Sequence, residues 1–334
     1  MLITTMSTPA LQDLIKKSFL RGVGKDAGDI RRVFHKESGD PQSKYKMIKE
    51  LDRERFAEVK LEGQASAQRG IAEGYEKKFT RKTISVARVV SGEEYIALQA
   101  HQLASWAKAV GEDVVDKIEL DMRNFLGMGD ASSYTDNGGF TVDTTVGDGK
   151  SLFNTAHTLK HSALSYSNIL SGAPSLSESA LEVAEDYFAY NVMDNYGARL
   201  KMKPNTIITS HSATMRNRVD RLIGSVAPES IEGNTNSNSG VKNTYRNKYQ
   251  HLAVEFDVDA DDKTDASKKY WWFLASLGGN PETSFQAYYV SWLSPTVAPP
   301  EIDQDRWTLK FVGRAMYAIG AVSGKGIILS KATS

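Results

Sequence analysis

The chain has 334 residues, with 41 Lys plus Arg against 41 Asp plus Glu, so its formal net charge is zero. That balance excludes a globally basic nucleic-acid module or a polybasic membrane anchor, and 40% hydrophobic with 25% charged residues excludes a disordered or fibrous chain. With no cysteine, disulfide scaffolds, thiol nucleophiles and Cys-ligated zinc or iron–sulfur clusters are excluded together.

The first residues, MLITTMSTPALQDLIKK, lack the positive start, apolar stretch and small-residue cleavage site of a secretory signal. The longest apolar runs, 270–275 and 315–322, fall far short of the roughly 18 residues of a membrane span. Thr8 and Pro9 occupy N-cap and N1 positions, Leu11, Leu14, Ile15 and Phe19 form one stripe, and Gly22 is a stop, which predicts a short amphipathic helix. Residues 23–50, with Gly24, Gly28, Gly39 and Pro41 among charges, read as an extended arm that needs a surface to lie on.

Residues 55–62 alternate in the period of a strand, and 76–90 contain a second strand-like stretch, KFTRKTISVARVV. With the small-residue tip GQASAQRGIAEG between them, they predict a hairpin of about 45 Å. An isolated two-stranded hairpin is marginal in water, and Lys77, Lys78, Arg81 and Lys82 are awkward inside a core. Two readings stay open: a solvent-facing pair within a larger sheet, or an arm that packs on a neighbouring subunit.

Ser91 and Glu94 form a capping box. After it Ile96, Ala100, Leu103, Ala107, Val110, Val114, Ile118, Met122 and Phe125 recur at steps of three and four, and Gly127 ends the pattern. A helix over 93–126 is about 51 Å long, as wide as a compact chain of this size. Gly111 at its middle and its single apolar stripe favour a helix backed by a sheet over a coiled coil.

Turns and short strands follow. Ser175 and Glu178 make a second capping box, opening a helix through Leu181, Ala184, Phe188 and Val192. A buried strand at 206–210 and a helix over 212–223 complete a mixed α+β unit. Residues 233–240 contain only Gly, Asn, Thr and Ser and read as a surface loop. The stretches 251–259, 268–276 and 285–293 read as three strands of one sheet. Trp307, Leu309 and Phe311, then Met316, Ala318 and Gly320 beyond Gly313, mark two closing strands.

Motifs that carry chemistry mostly fail on inspection. Asp257-x-Asp259-x-Asp261 opens like a calcium loop, but Asp262 stands where the turn Gly belongs and Lys268 where the bidentate Glu belongs, so it reads as a solvated acidic turn. His157 and His161 are four apart with no third ligand. The run GAVSGKG at 320–326 has three residues between its first glycines where a phosphate loop needs four, and Gly326 replaces the magnesium-binding Ser or Thr. Gly22-x-Gly24 opens no dinucleotide turn, and no G-x-S-x-G elbow occurs. No catalytic, cofactor-binding or metal residue is therefore assigned, and no cofactor is expected. Charge is uneven: residues 1–60 hold 13 Lys and Arg against 9 Asp and Glu, net +4, and residues 251–305 hold 3 against 10, net −7. Either these are two solvated surfaces, or a basic arm of one copy meets an acidic face of another.

The segments TPALQDLIKKSF, FTRKTISVARVVSGEEY, DGKSLFNTAHTL, KPNTIITSHSATMRNRV and RWTLKFVGRAMYAIG, in this order over nearly the whole chain, resemble the major capsid proteins of tailed bacteriophages. The resemblance is to the Hong Kong 97-type fold, and most closely to its Mu-like major head subunit branch, with the DGxxLFxxxH stretch from Asp148 to His157 the most specific part. It implies an α+β chain divided into an N-arm at 1–52, an E-loop hairpin at 53–91, a P-domain with a long spine helix at 92–165 and 297–334, and an A-domain at 166–296. It implies a structural protein, not an enzyme, assembled in the bacterial host cytoplasm. Its hexamers and pentamers would close into an icosahedral shell, part of the virion, around double-stranded DNA that it binds without sequence specificity. Scaffold, portal and decoration proteins are further candidate partners, and no membrane is involved. The alternatives are an encapsulin-type protein compartment and, in a different class, a soluble α+β enzyme.

Overall fold

The computed structural model describes residues 9–24, 28–53, 60, 62, 65, 71–97, 100–225, 243–279, 283–303 and 305–333. Its first half runs through α1 (Pro9–Val23), β1 (His35–Ser38), β2 (Tyr45–Arg53), β3 (Ile71–Thr80), β4 (Lys82–Ser91), α2 (Gly92–Ala97) and α3 (Ala100–Gly127). Four short strands follow: β5 (Ser133–Thr135), β6 (Thr141–Asp143), β7 (His157–Leu159) and β8 (Ser162–Tyr166). Then come α4 (Glu178–Asp186), β9 (Thr206–Thr209), α5 (Ala213–Gly224), β10 (Gln250–Ala253) and β11 (Trp272–Ala275). The strands β12 (Ala287–Val297), β13 (Glu301–Asp303), β14 (Thr308–Ala321) and β15 (Ile327–Ser330) close the chain. Among the described residues no helix is long and apolar enough to cross a membrane.

The helical stripe read from the sequence is the one that packs. Leu103, Ala107, Val110, Val114, Ile118, Met122 and Phe125 of α3 are all buried. The capping box forms as expected: Ser91 N–H donates to Glu94 Oε2 at 3.2 Å, and Glu94 N–H to Ser91 Oγ at 3.1 Å. At 28 residues α3 is about 42 Å long. Residues 98 and 99, which would join α2 to α3, lie outside the described residues. The helix α1 crosses α3 at glycine: a Cβ on Gly22 would sit 2.1 Å from the Lys108 carbonyl oxygen, and one on Gly111 2.4 Å from that of Phe19. Gly22 is thus a packing contact rather than a stop, and Gly111 marks a helix crossing that no larger residue permits.

Two sheets flank this helix. In the larger, the order is β1-β12-β14, with β13 beside the start of β14 and β4 on its far side. Alternation along β14 sends Leu309, Phe311, Ala315 and Tyr317 to the core of α1 and α3, and Met316 and Ala318 to a smaller cluster with Phe79, Tyr288, Val290 and Trp292. In the second sheet, β10-β9-β11-β15, the strands β9, β11 and β15 are buried on both faces and read as short, mostly apolar runs, while the edge strand β10 is partly exposed. Ile208, Phe273 and Leu329 face the core of α3, and Ile207, Leu274 and Ile328 face a second core built with α4 and α5.

Several expectations need correction. The stretch 76–90 is two strands in different sheets: β3 pairs with β2, then the chain turns at Arg81 and β4 pairs with β14 over ten residues. The partner of β3 is β2, at 45–53, not 55–62, of which only 60 and 62 are described. The inward positions of β2 include Lys46, Glu50 and Asp52, so a hydrophobic period could not reveal it. The hairpin base is held within its own chain, since Phe79 is buried edge-to-face against Tyr288 at 6.1 Å. The arm also lies on its own subunit, through buried Ile30, Val33 and Phe34. The three aromatic stretches do not share a sheet: β10 and β11 flank β9, and β12 belongs to the larger sheet. Residues 308–311 and 316–320 belong to one strand running through Gly313, with Trp307 in the turn before it, and the last strand is β15. Ser177, not Ser175, caps α4, accepting from Ala180 N–H at 3.2 Å; the helix ends at Asp186 in a π-helical turn. The loop at 233–240 lies outside the described residues.

Candidate assembly surface

The hairpin β2–β3 is anchored by a buried polar cluster drawn from three distant segments. Glu50 and Asp52 project inward from β2, Asn195 from the turn at 194–197, and Lys325 from the turn between β14 and β15, each at least nine-tenths buried. Lys325 Nζ lies 2.9 Å from Glu50 Oε1 and 3.4 Å from Asn195 Oδ1. The Asn195 amide donates to Glu50 Oε2 at 2.8 Å and also to Asp52 Oδ2. Burial pushes the Asp52 carboxyl up, and repulsion from Glu50 adds to this against the Asn195 hydrogen bond and the Lys325 charge. Lys160 Nζ donates to the Gly74 carbonyl at 2.6 Å and closes the cluster over β3.

A second anchor uses the lysines that looked awkward. Lys82 Nζ sits 2.5 Å from Asp121 and 2.9 Å from Asp136, and Lys117 lies 2.9 Å from Asp121. Tyr317 donates its hydroxyl to Asp121. Burial alone would raise the Asp136 carboxyl, but hydrogen bonds from Lys82 and the Phe140 amide outweigh it and hold it at about 2. Lys77 Nζ reaches Asp143 at 2.5 Å and Thr145 Oγ1 at 2.9 Å. Lys77, Lys82, Asp121, Asp143 and Tyr317 line a cavity of about 300 Å³ with Phe140 and Tyr134. Each carboxylate of this second anchor lies beside a lysine, an arrangement that tethers the turn between β3 and β4 to α3 and to the β5–β6 pair. Lys78 and Arg81 stay outside, over the Tyr45 ring and on the Pro41 carbonyl.

The DGKSLFNTAH stretch is a folded knot. His157 is fully buried, its Nδ1 lies 2.8 Å from Asp148 Oδ2, and its ring stacks on Tyr166 with centroids 4.9 Å apart. Asp148 also accepts from the Lys150 and Thr158 amides; burial would raise its carboxyl, and these bonds together with His157 lower it instead. Leu152 and Phe153 enter the core, and Asn168 donates to the Leu152 and Gly324 carbonyls, tying the knot to the final turn.

The motifs set aside in the sequence fall where physics explains them. His161 is separate from His157, stacked on Tyr196 at 4.7 Å. Asp259 accepts from the Asp261 and Lys263 amides, which makes the acidic run a side-chain-capped turn. The 320–326 run turns β14 into β15 and points its lysine at Glu50. Among the described residues no group of three or more His, Cys, Asp or Glu is placed to hold a metal ion. Lys325, Asn195 and Glu50, which fix the hairpin, carried no local signal in the sequence: they lie 130 and 145 residues apart.

Outside these anchors, exposed apolar side chains mark candidate contact surfaces: Tyr45 and Met47 on the hairpin, Val89 on the edge strand β4, and Val183 and Tyr190 on and after α4. Part of the charge split is met internally. Arg123 pairs with Glu255 at 2.5 Å and Asp262 at 3.7 Å, and Arg31 with Glu119 at 3.1 Å.

No protein-family model matches the sequence, and no curated protein is similar to it. Solved structures are similar over almost the full length. The chain in the asymmetric unit of the bacteriophage PhiM1 mature capsid is 11% identical with a TM-score of 0.52, covering 91% of this chain and 87% of that one. A chain of Gordonia phage Cozz is 13% identical with a TM-score of 0.52, covering 93% and 89%. The capsid structure of the cyanophage P-SCSP1u gives 8% identity and a TM-score of 0.52, covering 89% and 85%. The chain therefore shares a mixed helix-and-sheet fold with phage capsid chains.

Proposed function

We propose that this chain is a phage major capsid protein, a virion component whose copies form the shell. The observation that carries the reading is the likeness to capsid chains over 85% or more of both partners. The anchored hairpin and its exposed apolar residues support it, since they present a fixed projection to a neighbour. In finer terms the reading is a Hong Kong 97-type subunit, with an N-arm at 1–52, an E-loop at 53–91, a P-domain at 92–165 and 297–334, and an A-domain at 166–296. Within that fold the resemblance of the DGKSLFNTAH stretch suggests the Mu-like branch. Hexamers and pentamers enclose double-stranded DNA without base-specific contacts, and scaffold, portal and decoration proteins join during assembly in the host cytoplasm. Electron microscopy of the purified chain tests the reading: shells or capsomer rings support it, and a monomer at every concentration overturns it. Nuclease-protected DNA in particles from infected cells supports a genome container, whereas particles filled with protein cargo indicate an encapsulin-type compartment.

A further inference from the structure

Two neighbouring patches around α4 carry opposite charge. The helix, ESALEVAED, carries four acids and no base. Its inner face buries Leu181 and Ala184, and its outer face leaves Val183 57% exposed, in line with Asp186 and beside Glu182; Tyr190, just beyond the helix, is 54% exposed. Glu182 and Asp186 are exposed and have no ion-pair partner among the described residues. Beside the helix the segment 199–203 alternates, with Leu200 and Met202 turned inward and Arg199, Lys201 and Lys203 turned out, Arg199 lying over the Tyr190 ring at 5.2 Å. Between this segment and the helix lies a groove of about 720 Å³ lined by Phe188, Met202, Pro204 and Tyr249, with Lys201 and Lys203 exposed along it and its one acid, Glu185, paired with Lys248 at 2.6 Å. Neither Lys201 nor Lys203 has an ion-pair partner among the described residues.

We propose that the outer stripe of α4, centred on Val183, Glu182 and Asp186, docks into the groove rimmed by Lys201 and Lys203 on a second copy of the chain. This deepens the shell reading and rests on it. An apolar centre with acids around it fits an apolar groove with bases around it, in shape class and in sign. Because the two patches are different surfaces of one molecule, the contact is head-to-tail, the kind that closes into rings. The acidic helix cannot fill its own groove, since it forms one wall of it.

Two double variants test the contact: E182K/D186K, which makes both patches basic, and K201E/K203E, which makes both acidic. Each alone is expected to lose at least tenfold in assembled material by sedimentation, with thermal unfolding unchanged. An equimolar mixture is expected to regain six-membered rings, because basic and acidic copies then alternate, whereas a ring of five must keep one like-charge contact. V183Q, which alters no charge, is expected to lower assembly in the same direction. Assembly of either double variant at the level of the unaltered chain, or a mixture of folded variants that stays dissociated, overturns the contact and leaves the shell reading intact. Failure of the unaltered chain to assemble overturns the shell reading and the contact with it.

Discussion

Glu50 and Asp52 illustrate how much of this molecule rests on charges that look solvent-bound in the sequence. Two carboxylates share one lysine and one amide in a buried site, so removing the charge that faces the lysine and removing the surplus charge have different consequences. Glu50→Gln leaves Lys325 without its paired carboxylate and is expected to cost about 3 kcal/mol, read as a lowered urea midpoint. Asp52→Asn relieves repulsion with Glu50 and is expected to cost much less at pH 7; an equal loss for both would contradict the assignment of Lys325 to Glu50. The acid groups also set opposite pH trends. Asp136, held at about 2, binds its proton more weakly in the folded than in the unfolded chain. Its contribution is therefore present above about pH 4 and lost as pH falls toward 2. Asp52, raised by burial, stabilises the fold when protonated, and that contribution fades as pH rises through its folded value. Urea midpoints of Asp136→Asn are expected to fall less between pH 4 and 2 than those of the unaltered chain; a parallel fall would contradict the Lys82 pairing. None of these partnerships was legible beforehand, because Lys82 meets Asp121 and Asp136 only through the tertiary fold.

At the level of elements, legibility followed periodicity. The stripe of α3 was readable because one face meets one core throughout, and its capping box is local. The strand β2 was not, because its inward side chains include charges, and β3 and β4 ran together because the break at Arg81 has no Gly or Pro to announce it. Sheet membership of the aromatic strands was likewise hidden, since β9 inserts between β10 and β11 from earlier in the sequence. The hairpin register offers a direct test of which part serves the fold. Arg53 and Ile71 are partners at the last paired position of the hairpin. Replacing residues 54–70 by Asn-Gly, the two-residue turn suited to an antiparallel pair, is expected to leave the thermal midpoint within about 2 °C and abolish shell formation. Shells of normal yield from the shortened chain would show that the tip plays no part between subunits.

For the whole molecule, the balance of 41 bases and 41 acids proved to be a property of internal pairing as much as of surface. The acidic late segment is partly neutralised by Arg123 and by its own lysines, and the basic arm by Glu119 and by acids of the arm and hairpin. Among the described residues, unpaired charges of opposite sign gather around α4, on Glu182 and Asp186 and on Lys201 and Lys203. A cysteine-free chain that pins its hairpin with buried ion pairs and keeps apolar residues exposed on hairpin, edge strand and helix is suited to gain further stability from neighbours. On the proposed reading these neighbours are copies of itself. Cryo-electron microscopy of the purified chain, concentrated at neutral pH, is the decisive measurement. Closed shells or capsomer rings are expected, with the β2–β3 hairpin of each copy lying on an adjacent copy; monomers at all concentrations, or assemblies in which the hairpin touches only its own subunit, would overturn self-assembly through the hairpin.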